Sequence, residues 1–462
     1  MDKMIIDKMI EIVGEDYVID DLDKKLMYLY DQSEEHTMPK ADESSIVVKP
    51  KDAMEISLIM KYANDNKINV VVRGGGTGLV GACVPTQKSI IVSMERLNKI
   101  IEIDKNNMVA VLEGGVTLFE LLEELEKYDG ICFPVHPGDE GAQIGGMVAT
   151  NAGGARAVRH GVMRKHVMGL EVVLANGEIL NLGGKLIKNN AGYNLMNLLI
   201  GSEGTLGTIT KVILKIYSEE KYTATIIAPF EKFDDASHTV IEIINSGIIP
   251  LAIEYQDKHL FTDTAEMLGT KWQAEKGNAD LMIIISEKTE EMLWESCRRI
   301  NEICSNNNSY ELLYAGKKDE QEELLKIRSQ SYECVKHIVG MSFDMAVPVS
   351  EVPSFLKELK GLAAFYNTQT NVTAHIADGN IHNDIILVDG KIPSYAEEFK
   401  NKMYEACFKR GGTITGEHGI GKVRVKDLLL QKDSIEIELM KNIKRAFDPN
   451  NILNKDTVLK MD

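Results

Sequence analysis

Of the 37 glycines in this 462-residue chain, 23 lie between Gly74 and Gly207. A segment so rich in glycine is either turn after turn or a place where backbone approaches something closely. Its densest point follows an apolar run, NVVVRGGGTGLVG, with Gly74, Gly75, Gly76 and Gly78 within five residues. Gly76-Thr-Gly78-Leu-Val-Gly81 fits the dinucleotide pattern G-x-G-x-x-G, and Glu95 follows at roughly the required spacing. That pattern needs a helix straight after the loop, so that helix N–H groups face a diphosphate. Here only ACVPTQK, Ala82 to Lys88 with a central Pro85, precedes the next strand, SIIVSM. The chain therefore runs strand, loop, strand. A loop of successive N–H groups still makes a concave nest for an anion.

Two further small-residue clusters point the same way: HPGDEGAQIGGMVATNAGG (His136 to Gly154) and GSEGTLGTIT (Gly201 to Thr210). A dinucleotide is long, and several loops along one groove fit it better than unrelated turns. Elsewhere the first ~35 residues read as helical. Asp52 caps a predicted helix whose apolar face is Ile56, Ile59, Met60 and Ala63. After about Glu220 the texture changes to strand, helix, strand: TATIIAPF, a helix from Phe233 to Asn245, LAIEY, LMIIIS, and a helix from Glu290 to Cys304. This pattern predicts an antiparallel sheet with helices on one face. The end returns to glycine loops and a last helix, SIEIELMKNIKRAF, before Pro449.

RGGGTGLVGACVP, GGMVATNAGG and GSEGTLGTIT resemble the FAD-binding domain shared by vanillyl-alcohol oxidase and p-cresol methylhydroxylase. The resemblance is strongest to the FAD-linked D-2-hydroxyacid dehydrogenases, among them D-lactate dehydrogenase, the glycolate oxidase D subunit and D-2-hydroxyglutarate dehydrogenase. It runs from about residue 40 to the C-terminus. It implies an α+β chain: a two-subdomain FAD-binding domain over residues 1–220, an α+β cap (substrate) domain with an antiparallel sheet over 221–410, and a segment, 411–462, returning to the first. It implies that Arg73, Gly74, Gly75, Gly76, Thr77 and Gly78 wrap the FAD diphosphate. Pro137, Gly138, Asp139, Gly145, Gly146, Thr150, Asn151, Gly154, Gly161, Glu203, Gly204, Ile209 and Asn454 would line the remainder. Some relatives attach FAD through a histidine in the first loop; this loop has Thr77, so the expectation is non-covalent FAD.

HIADGNIH, His375 to His382, places two imidazoles around an Asp-Gly turn signal, which predicts a loop between strands. Alone it is a modest metal signal. GGTITGEHGIGKVR, Gly411 to Arg424, sets Glu417 and His418 among five glycines, exposing a carboxylate and an imidazole. His375, His382 and Glu417 together offer two nitrogens and one oxygen, a set suited to zinc, manganese or iron with open positions. The resemblance implies this ligand set, His418 as the base, Arg328 on the substrate carboxylate, and Asn380 in the pocket. The expected reaction is oxidation of a small D-2-hydroxy acid, D-lactate first, with glycolate and D-2-hydroxyglutarate as alternatives. The metal lowers the hydroxyl pKa, His418 takes the proton, and the α-hydrogen leaves as hydride. Three departures from the family pattern stand out: Ala377 where glycine is usual, Leu453-Asn454-Lys455-Asp456 in place of L-N-P-G-K, and no basic residue near Ser342-Phe343-Asp344. The last favours a small acid.

A net charge of −18 disfavours nucleic acid and anionic lipid. No apolar run approaches bilayer length and no signal peptide is visible, so the reading is cytoplasmic. The six scattered cysteines lack a C-x-x-C, which argues against a disulfide framework or an iron–sulfur cluster in this chain. Electrons must then pass to a partner. The resemblance implies electron-transfer flavoprotein subunits in a hetero-oligomer of the electron-bifurcating type, or an iron–sulfur subunit. Rival readings are a metal-free flavin alcohol oxidase of the same fold, a flavoprotein reducing UDP-sugar precursors, and a non-catalytic electron relay.

Overall fold

The computed structural model describes residues 1–461. Contacts divide the chain into two compact units. The first comprises Met1–Gly153, Val162–Tyr217 and everything described from Glu417 onward; the second comprises Gly154–Gly161 and Ser218–Gly416. The first boundary falls at Tyr217/Ser218, three residues before the sequence reading of 220/221, and the division differs in two further places. The return to the first unit begins at Glu417, not at residue 411, because Thr413 and Thr415 bridge to Ala346 and Asp344 of the second unit. Gly154–Gly161 leaves the first unit because Arg159 is bound into the second, donating to the Glu220 carboxylate (2.6 Å) and to the Ser286 carbonyl (2.9 Å).

The first unit carries two principal sheets. In one, Ile46–Val48, Ser89–Ser93 and Asn69–Arg73 are parallel neighbours. Parallel strands need a long crossover, and here the glycine loop after Arg73 provides it without a helix, as expected. The second sheet is antiparallel, in the order Ile100–Asp104, Val109–Glu113, Thr208–Lys215, Val167–Val173, Ile179–Gly183. The helix Ala53–Asn66 is capped by the Asp52 carboxylate, which accepts from the Glu55 N–H, and it buries Ile56, Ile59, Met60 and Ala63. The N-terminal expectation needs correction. Only Lys3–Val13 is a sustained helix; a two-residue strand, Val18–Ile19, and short turns follow. The strand pairs with Ile46–Val48, and that pairing overrides helical propensity there.

The C-terminal helix Ser434–Phe447 is locked into this unit by Lys444. Its ammonium donates to the Thr205 and Leu453 carbonyls and to Asp448, all buried. Asp448 in turn accepts from the Ile452 and Leu453 N–H groups. Ile452 then accepts from the Val70 N–H, which attaches the chain end to the strand leading into the glycine loop.

The second unit is built on a seven-stranded antiparallel sheet. Its order is Leu313–Ala315, Tyr222–Phe230, Ala279–Glu287, Ala252–Asp257, Thr370–His375, Asn380–Ile386, Val339–Ala346. One face is largely apolar and takes the long helices: Phe233 meets Tyr255 edge to face at 4.8 Å, and Tyr404 meets Phe343 at 6.0 Å. The other face is divided. Ile227, Ala252 and Met282 pack with Phe261, Ala265 and Ile327, from the helices Lys258–Met267 and Lys318–Ser329. So helices cover part of the second face too, where the sequence predicted one face. LMIII is apolar at every position because its strand is buried on both sides. The remaining half of that face is polar, and it is the part that bears on function.

Candidate active site

In the first unit the glycine loops surround a groove of ≈ 210 Å³. Gly74, Gly75, Gly76, Thr77 and Gly78 line it, as do Pro137, Asp139, Gly145, Gly146, Thr150, Glu203, Gly204, Ile209 and Asn454. Glu417 and His418 line it as well. Five expected residues do not. Arg73 turns inward: its guanidinium donates to the Tyr30 carbonyl (2.7 Å), the Met27 carbonyl (2.9 Å) and the Cys83 thiol (3.3 Å). It passes beneath Gly76, whose φ of +74° and lack of side chain leave room for it. Gly138 stands just off the lining. Asn151 adopts φ +54° to close the helix Ile144–Thr150, and its side chain accepts from the Arg164 N–H. Gly154 and Gly161 belong to the second unit.

The adjacent glycines Gly145 and Gly146 have different reasons to be glycine. A Cβ on Gly145 would stand 2.8 Å from the Gly114 carbonyl oxygen, so the helix packs there backbone to backbone. A Cβ on Gly146 would meet nothing within 4 Å and would project into open space. Two polar atoms on the groove are buried without a partner: Gln143 Oε1 and Asp31 Oδ2. Burial pushes the Asp31 carboxyl above its ordinary range, against hydrogen bonds from Ser33. Neither residue was singled out in the sequence. Gln143 sits inside the quoted HPGDEGAQIGG run, which was the available signal.

Glu203 does more than line the groove. Its buried carboxylate accepts from the Ile420 N–H (2.8 Å) and the Gly421 N–H (2.7 Å), pinning the turn that follows Glu417-His418. Burial raises its pKa in spite of those two bonds. Asn454, with φ +39°, donates to the Glu203 carbonyl and accepts from the Val72 N–H, both at 2.8 Å. The side-chain bonds hold this asparagine in place without the L-N-P-G-K turn. Lys422 donates to the Ala82 carbonyl and to the Thr457 hydroxyl, each at 2.9 Å.

Burial holds the Lys422 ammonium down at about 8, against the pull of Glu203, Asp31 and Asp456. The unfolded side chain would release its proton near 10.5. Between those values the unfolded state binds more protons, so this group adds stability as pH rises. Relative to Lys422→Met, the wild type is expected to gain up to about 3 kcal/mol between about pH 7 and about pH 10.5. Urea midpoints at the two ends measure it, and a constant difference between the proteins would contradict the assignment.

The polar half-face of the second unit gathers four other expected residues. HIADGNIH is a hairpin, which corrects the placement of its histidines on a loop. His375 ends the strand Thr370–His375, and His382 lies in the strand Asn380–Ile386. The register pairs His375 with Asn380 and Thr373 with His382, so the two imidazoles are diagonal neighbours on one face. Their rings stand 5.5 Å apart, and one nitrogen of each comes within 4.8 Å of the other. Ala377, in the turn, is buried and has no positive φ, so alanine meets no backbone penalty there.

Each imidazole stands directly opposite a buried carboxylate one strand away. Glu254 faces His375 and Asp344 faces His382. Glu254, 2 % exposed, approaches His375 Nδ1 at 2.8 and 3.0 Å and Arg328 Nη2 at 2.7 Å. Burial alone would raise the Glu254 pKa, but His375 and Arg328 together bring it below the ordinary value. The Arg328 Nε is buried with no partner. Asp344 accepts from the Asn380 amide (2.7 Å), the Thr415 hydroxyl (2.7 Å) and the Gly416 N–H (3.1 Å), and lies 3.9 Å from His382 Nδ1. Asn380 also donates to the Met345 carbonyl (3.1 Å), so both its amide protons are used within the sheet. Glu254 was not singled out in the sequence, and Asp344 was not read as a site residue. The signal was there: a lone carboxylate in LAIEY, another in SFDMAV, each inside an apolar run where a charge must find partners.

Residues 219–458 match the family described as FAD linked oxidases, C-terminal domain, and residues 44–183 match an FAD binding domain. The chain belongs to the FAD-linked oxidase family. A D-lactate dehydrogenase of Archaeoglobus fulgidus is 36% identical over 433 residues, covering 94% of this chain and 95% of the relative. The glycolate oxidase subunit GlcD of Bacillus subtilis is 32% identical, with 100% and 97% covered. Among solved structures, p-cresol methylhydroxylase with substrate bound has a TM-score of 0.77 at 18% identity, covering 99% of this chain and 96% of that one. The fold is that of the vanillyl-alcohol oxidase and p-cresol methylhydroxylase flavoproteins, with two domains and antiparallel sheets. Among the described residues no helix is long and apolar enough to cross a membrane. The six cysteines are free thiols, and Cys297, Cys304 and Cys407 are buried.

Proposed function

We propose that this chain oxidises a small D-2-hydroxy acid, D-lactate, to the 2-oxo acid. The observation that carries the reading is the polar half-face: two imidazoles, each opposite a buried carboxylate, and a guanidinium with an unpartnered buried Nε that shares the first of those carboxylates. An arginine with spare donors suits a substrate carboxylate. The relative named D-lactate dehydrogenase, matched over nearly the whole length, supports the choice of acid. The missing basic residue near Phe343 supports a small one.

The groove of the first unit fits FAD. Space above Gly146, two orphaned polar atoms and three glycine-rich walls are what a long, flat dinucleotide needs. No lysine or arginine is among the groove's lining residues, so the diphosphate would be met by loop N–H groups. Thr77, which cannot make the histidyl linkage, supports non-covalent attachment. FAD, once bound, supplies the hydride acceptor.

His375 and His382 would hold a divalent metal ion with Glu417 as third ligand, leaving positions for a substrate's carboxylate and hydroxyl oxygens. Such an ion would lower the hydroxyl pKa. His418 receives the hydroxyl proton, the task of a general base. Arg328 binds and orients the carboxylate. Asn380 keeps the strand carrying His382 in register through Asp344. The reduced protein needs an acceptor, and electron-transfer flavoprotein subunits are the proposed partner. Purification of the chain from its source with two additional flavoprotein subunits would support that choice, and its recovery alone would contradict it.

The test is anaerobic bleaching of the bound flavin. D-Lactate is expected to bleach it, and L-lactate is not; glycolate and D-2-hydroxyglutarate are expected to act more slowly. Chelator treatment is expected to abolish bleaching and added Mn²⁺ or Zn²⁺ to restore it. Indifference to chelator would favour the metal-free alcohol oxidase. Acid precipitation of the same protein is expected to release all its flavin.

A further inference from the structure

We infer that Glu254 is a positioning residue: one buried carboxylate fixes the tautomer and tilt of His375 and aims the Arg328 guanidinium. The inference rests on the metal reading above and extends it to a residue outside the ligand set.

A carboxylate can only accept, and Glu254 lies 2.8 and 3.0 Å from His375 Nδ1. The proton of the ring must therefore sit on Nδ1. A neutral imidazole so protonated offers its lone pair at Nε2 alone, and that is the nitrogen left for a metal. The same carboxylate stands 2.7 Å from Arg328 Nη2, and among the described residues it is the one group that pairs with this arginine. Arg328 comes from the last turn of the helix Lys318–Ser329 and His375 from the end of a strand. No hydrogen bond links the two directly; Glu254, on the strand between, touches both. Its place is set by register, since Glu254 and His375 are direct partners across the antiparallel pair.

A glutamate is a costly choice at this position. An apolar residue would pack against Ala252, Met282 and Ile327 on the same half of the unit without desolvating a charge. The carboxylate has two partners, and both are groups the proposed reaction uses. Asp344 makes the corresponding approach to His382 at 3.9 Å, too long for a hydrogen bond, and its oxygens are taken by Asn380, Thr415 and Gly416. The tautomer-fixing role thus falls to Glu254.

The experiment uses full-length, FAD-loaded, metal-stripped protein titrated with Mn²⁺ and followed by EPR. Glu254→Gln, nearly the same in shape, is expected to weaken Mn²⁺ binding ~10–100-fold, the usual effect of losing such an outer partner. Its flavin absorbance and melting temperature should stay near wild type, which a merely structural role would not allow. Wild-type Mn²⁺ affinity in Glu254→Gln, with His375→Ala unable to bind, overturns the inference and leaves the metal reading standing. Wild-type affinity in His375→Ala overturns both. If Glu254→Gln does not retain flavin, Glu254→Asp decides. It keeps the charge but draws it back by one methylene, so it should bind Mn²⁺ at least a few-fold more weakly, and undiminished affinity would overturn the inference.

Discussion

His418→Ala is expected to bind FAD as the wild type does and to turn over at least ~100-fold more slowly, the scale of a lost general base. The fold should tolerate the change. The turn carrying His418 is held from the other side, by Glu203 accepting from the Ile420 and Gly421 N–H groups. The imidazole itself lines the groove and forms no part of that anchor. The effect should fall on kcat, with KM for D-lactate little changed, because carboxylate binding is assigned to Arg328. Single-turnover reduction of the flavin under anaerobic conditions separates the proton-transfer step from reoxidation by a partner. A rate within a few-fold of wild type would remove His418 from the mechanism.

Gly146→Leu is expected to yield a folded protein without flavin. The position opens onto the groove, with no atom within 4 Å of where a Cβ would stand, so a side chain there costs the fold little. The cofactor would meet that side chain directly. FAD affinity should fall more than ~100-fold, about 3 kcal/mol or more, while the melting temperature matches that of the wild-type apoprotein. Gly145→Ala is the control with the opposite signature. Its methyl would press on the Gly114 carbonyl, and overpacking of that kind costs about 1–3 kcal/mol of stability. Equal flavin content in Gly146→Leu and wild type, by absorbance after gel filtration, would show that FAD does not occupy this groove.

Much of the fold was legible because its signals are local. Asp52 announces its helix by a side chain that satisfies the Glu55 N–H. Pro85 and the short ACVPTQK connection exclude a helix after the glycine loop, and the crossover between parallel strands has none. The 3.6-residue spacing of SIEIELMKNIKRAF is its helix, end to end. Reading failed where a side chain's partner lies far along the chain. Arg73 ends a strand and precedes glycines, as a diphosphate-binding arginine would, yet Tyr30 and Met27, more than forty residues upstream, take its protons. Val18 and Ile19 look helical until their pairing with Val47 and Val48 is known.

The sequence by itself determined the residue types at the site, two histidines around a turn, an Arg, a Glu-His pair and three glycine-rich walls, because chemistry restricts which side chains can do these tasks. It could not assign their supports. That His375 carries its proton on Nδ1 follows from Glu254, a residue 121 positions earlier in the chain. Only the antiparallel register of two strands makes them neighbours, and register is a property of the whole sheet: a slip of one residue would turn every side chain to the other face.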